Sequence, residues 1–143
     1  VRDVVARWME QEPLALLPRH KVQGIDPLFA ALARSGRRIA AWSDYPVRDK
    51  MTAMGLKADI EIWSGDENVN RPKPHPAGLE YIFRATGIKA DRALVVGDRV
   101  DRDWAAANAL SVPSLIRSRK PDRRAPTFRD YTDPVFAPLV MQA

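Results

Sequence analysis

Residues 93–116 read ALVVGDRVDRDWAAANALSVPSLI, and that stretch decides the fold class. Ala93-Leu94-Val95-Val96 is a short apolar run of the kind that forms a buried strand. Gly97 and Asp98 end it, a helix is expected from about Asp103 to Leu110, and Val112 to Ile116 reads as the last strand. Strand, turn, helix and strand follow one another through short connections, the rhythm of an α/β protein with a parallel sheet.

The rhythm extends toward the N-terminus. Ile39-Ala40-Ala41-Trp42 reads as a buried strand ending at Ser43, and Ile60 to Trp63 as another. Between them Pro46 opens a helix that runs through Met51 and Met54 and stops at Gly55. A polar loop from Ser64 to Pro74 leads to a helix from near Pro76 to Gly87. Further upstream, Asp26 is the expected N-cap of a helix with Pro27 at its first position, Gly36 at its end and Leu28, Phe29 and Leu32 on its inner face. Pro13 to Gly24 reads as a connector, and Val1, Val4, Val5, Trp8 and Met9 recur as one apolar helical face.

With 143 residues, 45% hydrophobic and 29% charged, the chain is long enough for one domain with a real core and too apolar for intrinsic disorder. No apolar run approaches the roughly 20 residues of a membrane helix, so no membrane partner is expected. No charged start followed by an apolar block marks a secretory signal, and a cytoplasmic location is the default. Cysteine is absent, which excludes disulfides, thiolate metal sites and cysteine nucleophiles. Two histidines, His20 and His75, are too few for a multi-histidine metal centre; they read as a connector residue and a helix-start residue. The formal charge is +5, and Arg117, Arg119, Lys120, Arg123, Arg124 and Arg129 crowd the C-terminal stretch. That run is expected to be a solvated basic tail over residues 119–143. No basic helix with interleaved aromatics points to nucleic acid.

Ligands of open parallel sheets sit outside the carboxyl ends of the strands. The Ile39 strand delivers Ser43 and Asp44 there; the Leu94 strand delivers Gly97 and Asp98, with Asp101 and Asp103 just beyond. The loop between them presents Arg71-Pro72-Lys73-Pro74-His75-Pro76. A hydroxyl, a lysine and a group of carboxylates at adjacent strand ends suit a phosphate together with Mg²⁺. Oxygen-only ligation is what Mg²⁺ takes, and lysine offers a compact charge to phosphoryl oxygens.

These residues resemble the haloacid dehalogenase-like hydrolase superfamily, in particular its phosphatases of the phosphoglycolate phosphatase type. Ile39 to Ser43 matches the family's second motif, a hydrophobic strand ending in Ser or Thr. Lys73, Pro74 and Pro76 match the third, and Gly97, Asp98 and Asp103 match the fourth. The resemblance covers residues 14 to 118 and implies a Rossmann-like three-layer α/β/α parallel sheet over residues 19–118. Residues 1–18 would then be the remnant of a small helical cap and its connector.

The resemblance implies a Mg²⁺-dependent phosphatase of small phosphate monoesters working through an aspartyl-phosphate. In it Ser43 would hydrogen-bond a phosphoryl oxygen, with Asp44 and Arg71 at the substrate. Lys73 would neutralise the phosphoryl group and steady the nucleophile. Asp98 would ligate Mg²⁺, and Asp103 would cap the next helix, or hold a metal-bound water and pair with Lys73, or do both. Trp8, Trp42, Trp63 and Trp104 are expected in core or cap packing.

One departure bears on everything. The family's first motif, an apolar strand ending Asp-x-Asp-x-Thr/Val that carries the nucleophile, has no match in this sequence. In the family that strand lies between the strands assigned here to Ile39 and Leu94, so a mid-sheet gap is expected. The missing strand would come from an N-terminal segment of a longer protein or from a partner chain. The alternatives are a catalytically inactive remnant or split-protein subunit that binds phosphate and Mg²⁺, and a 2-haloacid dehalogenase. Asp98 disfavours the last, because a metal-free site has no use for a carboxylate there.

Overall fold

The computed structural model describes Arg7 and residues 11–141. Its elements are α1 (Ile25–Arg34), β1 (Ala40–Ser43), α2 (Arg48–Ala53), β2 (Ile60–Trp63), α3 (Ala77–Thr86), β3 (Val95–Gly97), α4 (Ala105–Ala109), β4 (Ser114–Arg117), β5 (Thr127–Phe128) and α5 (Ala137–Met141). Two 3₁₀ turns, Glu12–Ala15 and Leu17–His20, form the expected connector. The helical face drawn from Val1 to Met9 lies outside the described residues except for Arg7.

All strand pairings are parallel, but they fall into two sheets: β1 with β2, and β3-β4-β5 in that order. Hydrogen bonding says where the sheet is interrupted. The carbonyls of Ile39 and Ser43 accept from the N–H groups of Asp59 (2.8 Å) and Ser64 (2.9 Å) on the β2 side. In a parallel strand both backbone groups of a residue point the same way and the direction alternates. Ala40 and Trp42 therefore turn theirs to the opposite edge. Likewise the Val95 N–H donates to the Pro113 carbonyl at 2.9 Å on the β4 side, which turns Leu94 and Val96 outward. These two open edges line opposite sides of a groove of about 900 Å³. The burial expected of the two strands is correspondingly incomplete: Ala40 is exposed, and Leu94 and Val96 are 42% and 38% exposed.

Helices cover both faces of the strands. Leu28 and Leu32 of α1 and Leu139 of α5 pack with Leu115 of β4, Phe128 of β5 and Phe136. On the other side Leu79, Ile82 and Phe83 of α3 and Ala107 of α4 pack with Trp42, Val95 and Val112. The result is the expected α/β/α layering.

Three sequence expectations are corrected. The α1 N-cap is Gly24, not Asp26, with Asp26 in the first turn, where its carboxylate accepts from Lys21 Nζ at 2.7 Å. Gly24 has φ +84°, and a Cβ there would lie 2.7 Å from the Tyr131 carbonyl carbon; only glycine meets both demands. Pro27, two residues further into the helix than expected, still sits among the first-turn N–H groups that have no intrahelical partner. Second, the β4 strand is not the last.

Third, the basic stretch is not a solvated tail. β5 pairs with β4, Phe128 and Phe136 are 2% and 1% exposed, and their rings meet edge to face at 4.9 Å. A buried Phe contributes about 3–5 kcal/mol, against a total stability of about 5–15 kcal/mol for a domain. This segment is therefore partly built into the core through Ala125, Phe128 and Phe136, while its arginine side chains are exposed. Sequence periodicity missed it because β5 is two residues long.

Candidate active site

Lys73 and Asp103 form the centre of the strand-end cluster. Lys73 Nζ donates to Asp103 Oδ1 at 2.7 Å and to the Trp42 carbonyl at 3.3 Å, and lies 5.0 Å from the centre of the Trp42 ring. The Trp42 carbonyl is one of the groups on the open β1 edge, so the ammonium bridges the two half-sheets across the mouth of the groove. The side chains of Lys73 and Asp103 are 13% and 9% exposed. Lys73 is presented by a loop with Pro72, Pro74 and Pro76 around it, and the Lys73–Pro74 peptide bond is cis.

Asp103 is aimed by backbone. Its Oδ2 accepts from the N–H groups of Asp98 (3.0 Å) and Arg99 (2.9 Å). It lies in a wide turn of π-type winding, Val100–Trp104, that directly follows the β3 end; such turns recur at functional sites. Of the two roles expected for Asp103, the pairing with Lys73 is present. The helix-capping one is not, because α4 starts only at Ala105 with Trp104 at its N-cap position. Gly97 is required by the same packing, since a Cβ there would collide with the Asp103 side chain. Gly97→Ala is expected to lower stability by about 1–3 kcal/mol through forced displacement of that side chain, measurable as a lower urea midpoint with unchanged m-value.

Asp44 is a clamp. Its Oδ1 accepts from Ser64 Oγ (2.8 Å) and the Lys73 N–H (3.0 Å), and its Oδ2 from Arg102 Nη1 (2.7 Å). Three segments (the β2 end, the Lys73 loop and the β3–α4 turn) thus meet on one carboxylate. Burial pushes its pKa up, but the donors from Lys73, Ser64 and Arg102 outweigh that and hold it below the usual carboxylate value. With a lowered folded-state pKa, the stability Asp44 contributes is present above 3.8 and lost as pH falls through the folded value. The advantage of wild type over Asp44→Asn in urea unfolding is accordingly expected to be constant at neutral pH and to narrow below pH 3.8.

The remaining sequence candidates divide clearly. Ser43 closes β1, and its Oγ accepts from the Tyr45 N–H at 3.1 Å, which leaves its hydroxyl proton for a ligand. Asp98 is exposed, and its carboxylate makes no hydrogen bond or ion pair among the described residues. Asp101 is held by Arg99 at 2.8 Å, in an exposed pair. Arg71 is exposed two positions before Lys73 on the loop, and His75 Nδ1 accepts from the Ala77 N–H at the start of α3. Ser64 and Arg102 were not singled out from sequence. Ser64 follows a strand end, as Ser43 closes one, and that position was its only available signal. Trp42 packs in the core as expected and also carries Lys73 on its face.

The donor set is oxygen-only and anionic, which suits a hard divalent cation. Both Asp103 oxygens are already taken by protein donors, so Asp98 is the carboxylate left to ligate one. Among the described residues no three His, Asp or Glu side chains converge as a metal site. The described residues thus offer one carboxylate without a protein partner, that of Asp98, as the chemistry of a hard divalent cation would require.

A sequence model of haloacid dehalogenase-like hydrolases matches residues 20–116, well over half of the chain. The chain belongs to the haloacid dehalogenase-like hydrolase family. It is 34% identical over 94 residues to a phosphoglycolate phosphatase of Rhodospirillum rubrum, covering 64% of this chain and 39% of that protein. It is 27% identical over 86 residues to a glyceraldehyde 3-phosphate phosphatase of Methanocaldococcus jannaschii, covering 59% of this chain and 38% of that one. The chain therefore spans about two-fifths of the length of these curated relatives. In structure it resembles a HAD phosphatase from Thermococcus onnurineus with a TM-score of 0.75 at 23% identity, covering 91% of this chain and 65% of that one. That likeness carries the hydrolase family's fold. No helix among the described residues is long and apolar enough to cross a membrane.

Proposed function

We propose that this chain is the phosphate-binding and cation-positioning part of a Mg²⁺-dependent phosphatase of small phosphate monoesters. The observation that carries the reading is the Lys73–Asp103 pair, sheltered from solvent at the mouth of the inter-sheet groove and held by the amides of Asp98 and Arg99. An ammonium fixed there neutralises charge on a transferring phosphoryl group without reorganising during the reaction. Ser43 donates its free hydroxyl proton to a second phosphoryl oxygen, and Asp103 keeps the ammonium aimed. Asp98 would hold Mg²⁺, which when bound supplies charge neutralisation and orientation of the phosphate.

The nucleophile of this reading is an aspartate at the end of a strand in the groove. It is supplied by a further segment of the protein or by a partner chain; its carboxylate attacks phosphorus as the ester P–O bond breaks, the alcohol leaves after taking a proton from water, and a second water hydrolyses the aspartyl-phosphate to inorganic phosphate and the free carboxylate. The open facing edges of β1 and β3 support this. They equally support a split-protein subunit, which differs only in the source of the strand.

The test is hydrolysis of an aryl phosphate by this chain and by the protein made from the complete reading frame. This chain alone is expected to be inactive. The complete protein is expected to be active, with activity lost on EDTA treatment and reduced about 10²–10³-fold in Asp98→Asn. Activity that survives EDTA would sink the phosphatase reading in favour of metal-free chemistry. An inactive complete protein that still binds phosphate would leave the binding-subunit reading.

A further inference from the structure

A second charged feature lies beside the Lys73 cluster and is used by none of the chemistry above. A cleft of about 720 Å³ is walled by Arg117, Ser118, Arg119, Arg129 and Asp130, with Asp98 on the side shared with the candidate active site. Its arginines are placed by the fold. Arg117 ends β4 and is in register with Phe128 of β5, the Ser118 N–H donates to the Phe128 carbonyl at 2.9 Å, and Arg129 follows directly. The backbone beneath is anchored by Ala125 and Phe128, 3% and 2% exposed.

Elsewhere in the described residues Arg99 pairs with Asp101, Arg102 with Asp44 and Arg124 with Asp122. Arg117, Arg119 and Arg129 form no such ion pair. Of the two acids on the wall, Asp130 turns Oδ1 to the Thr132 N–H and hydroxyl, and Asp98 is the proposed cation ligand. Three guanidinium groups against the two carboxylates of Asp98 and Asp130 leave the cleft net positive, which favours an incoming anion. Their planar forks match a phosphate bidentately.

We infer that this cleft is a second phosphate subsite, which takes the distal phosphate of a bisphosphorylated small molecule whose scissile phosphate lies at Ser43, Lys73 and Asp98. The inference rests on the phosphatase reading and specifies its substrate class.

The probes are propane-1,3-diyl bisphosphate and propyl phosphate, titrated calorimetrically into the full chain. Wild type is expected to bind the bisphosphate at least about tenfold tighter, the size of a charge-assisted contact. Arg117→Gln/Arg129→Gln is expected to remove that preference and leave propyl phosphate binding unchanged. Lys120→Gln/Arg123→Gln carries the same charge change in the same segment, outside the cleft, and is expected to keep the preference.

Equal binding of the two probes by wild type, or a preference that survives in Arg117→Gln/Arg129→Gln, overturns the inference. So does an equal loss in Lys120→Gln/Arg123→Gln, which would mean diffuse attraction for polyanions. Side-chain Nε resonances of Arg117 and Arg129 in Lys73→Ala separate the two readings. Bisphosphate-induced shifts there alongside undiminished propyl phosphate binding would sink the role of Lys73 and leave the subsite standing. Absent shifts in both wild type and Lys73→Ala overturn the subsite whatever Lys73 does.

Discussion

Lys73→Met is expected to lower the stability of the chain by about 3 kcal/mol and, on the phosphatase reading, to lower kcat for a phosphate monoester by at least about 10²–10³-fold. The stability loss follows from what is left behind. Asp103 is 9% exposed at its side chain, and only its Oδ2 keeps partners, the N–H groups of Asp98 and Arg99. Oδ1 would be left charged, buried and without its donor, and breaking one side of a buried pair costs more than the intact pair contributes. The Trp42 carbonyl on the open β1 edge loses its donor in the same substitution. Urea unfolding of Lys73→Met, Asp103→Asn and the double variant forms a double-mutant cycle that checks the claim. A coupling below about 0.5 kcal/mol would mean that the two side chains merely lie near one another. A kcat loss without a stability loss would mean that the lysine acts on the substrate alone.

The second large effect is expected in the groove. Among the described residues the backbone groups of Ala40 and Trp42 on one side and Leu94 and Val96 on the other lack strand partners, and of them the Trp42 carbonyl alone has found another donor. Open apolar edges of this kind invite pairing with a further chain. A peptide of strand-forming sequence that pairs with both edges would stabilise the folded chain by RT ln(1 + [L]/Kd), about 2.7 kcal/mol at a hundredfold excess over Kd. Amide exchange at Ala40, Trp42, Leu94 and Val96 is expected to be fast in this chain and to slow about a hundredfold with the peptide under those conditions. The amides of Ala41 and Val95, already turned toward β2 and β4, act as internal references. Protection of all six residues without peptide would show that the groove edges are closed by some other contact. A Leu94→Lys/Val96→Lys variant is expected to lose the peptide's effect, because those residues line the groove.

Much of the site was legible because each part of it is local in sequence. A strand end, a proline-flanked lysine and a Gly-Asp turn each occupy a few consecutive residues, and the alternation of apolar runs and helices places all three at one edge of a sheet. Asp44 was legible only by position. Its role as a clamp depends on Ser64 and Arg102, which lie 20 and 58 residues away, and no local pattern encodes such pairings. Arg102 reads as one more charge in a basic chain until the β3–α4 turn brings it to Asp44. The C-terminal stretch was misread for a related reason. Its charge dominates the sequence, whereas its structural role rests on Ala125, Phe128 and Phe136, which are spaced too irregularly to register as a strand or helix.

The sequence by itself determined the α/β class, the parallel run of strands and the identity of the residues at the strand ends, because these depend on periodicity and on turn chemistry within short windows. Only the tertiary structure decided that the sheet divides in two, that Lys73 spans the division and that the basic segment builds a cleft. Each of these depends on which edges pair and which charges find partners at long range, and the balance of desolvation against contact is settled only when the whole chain has packed.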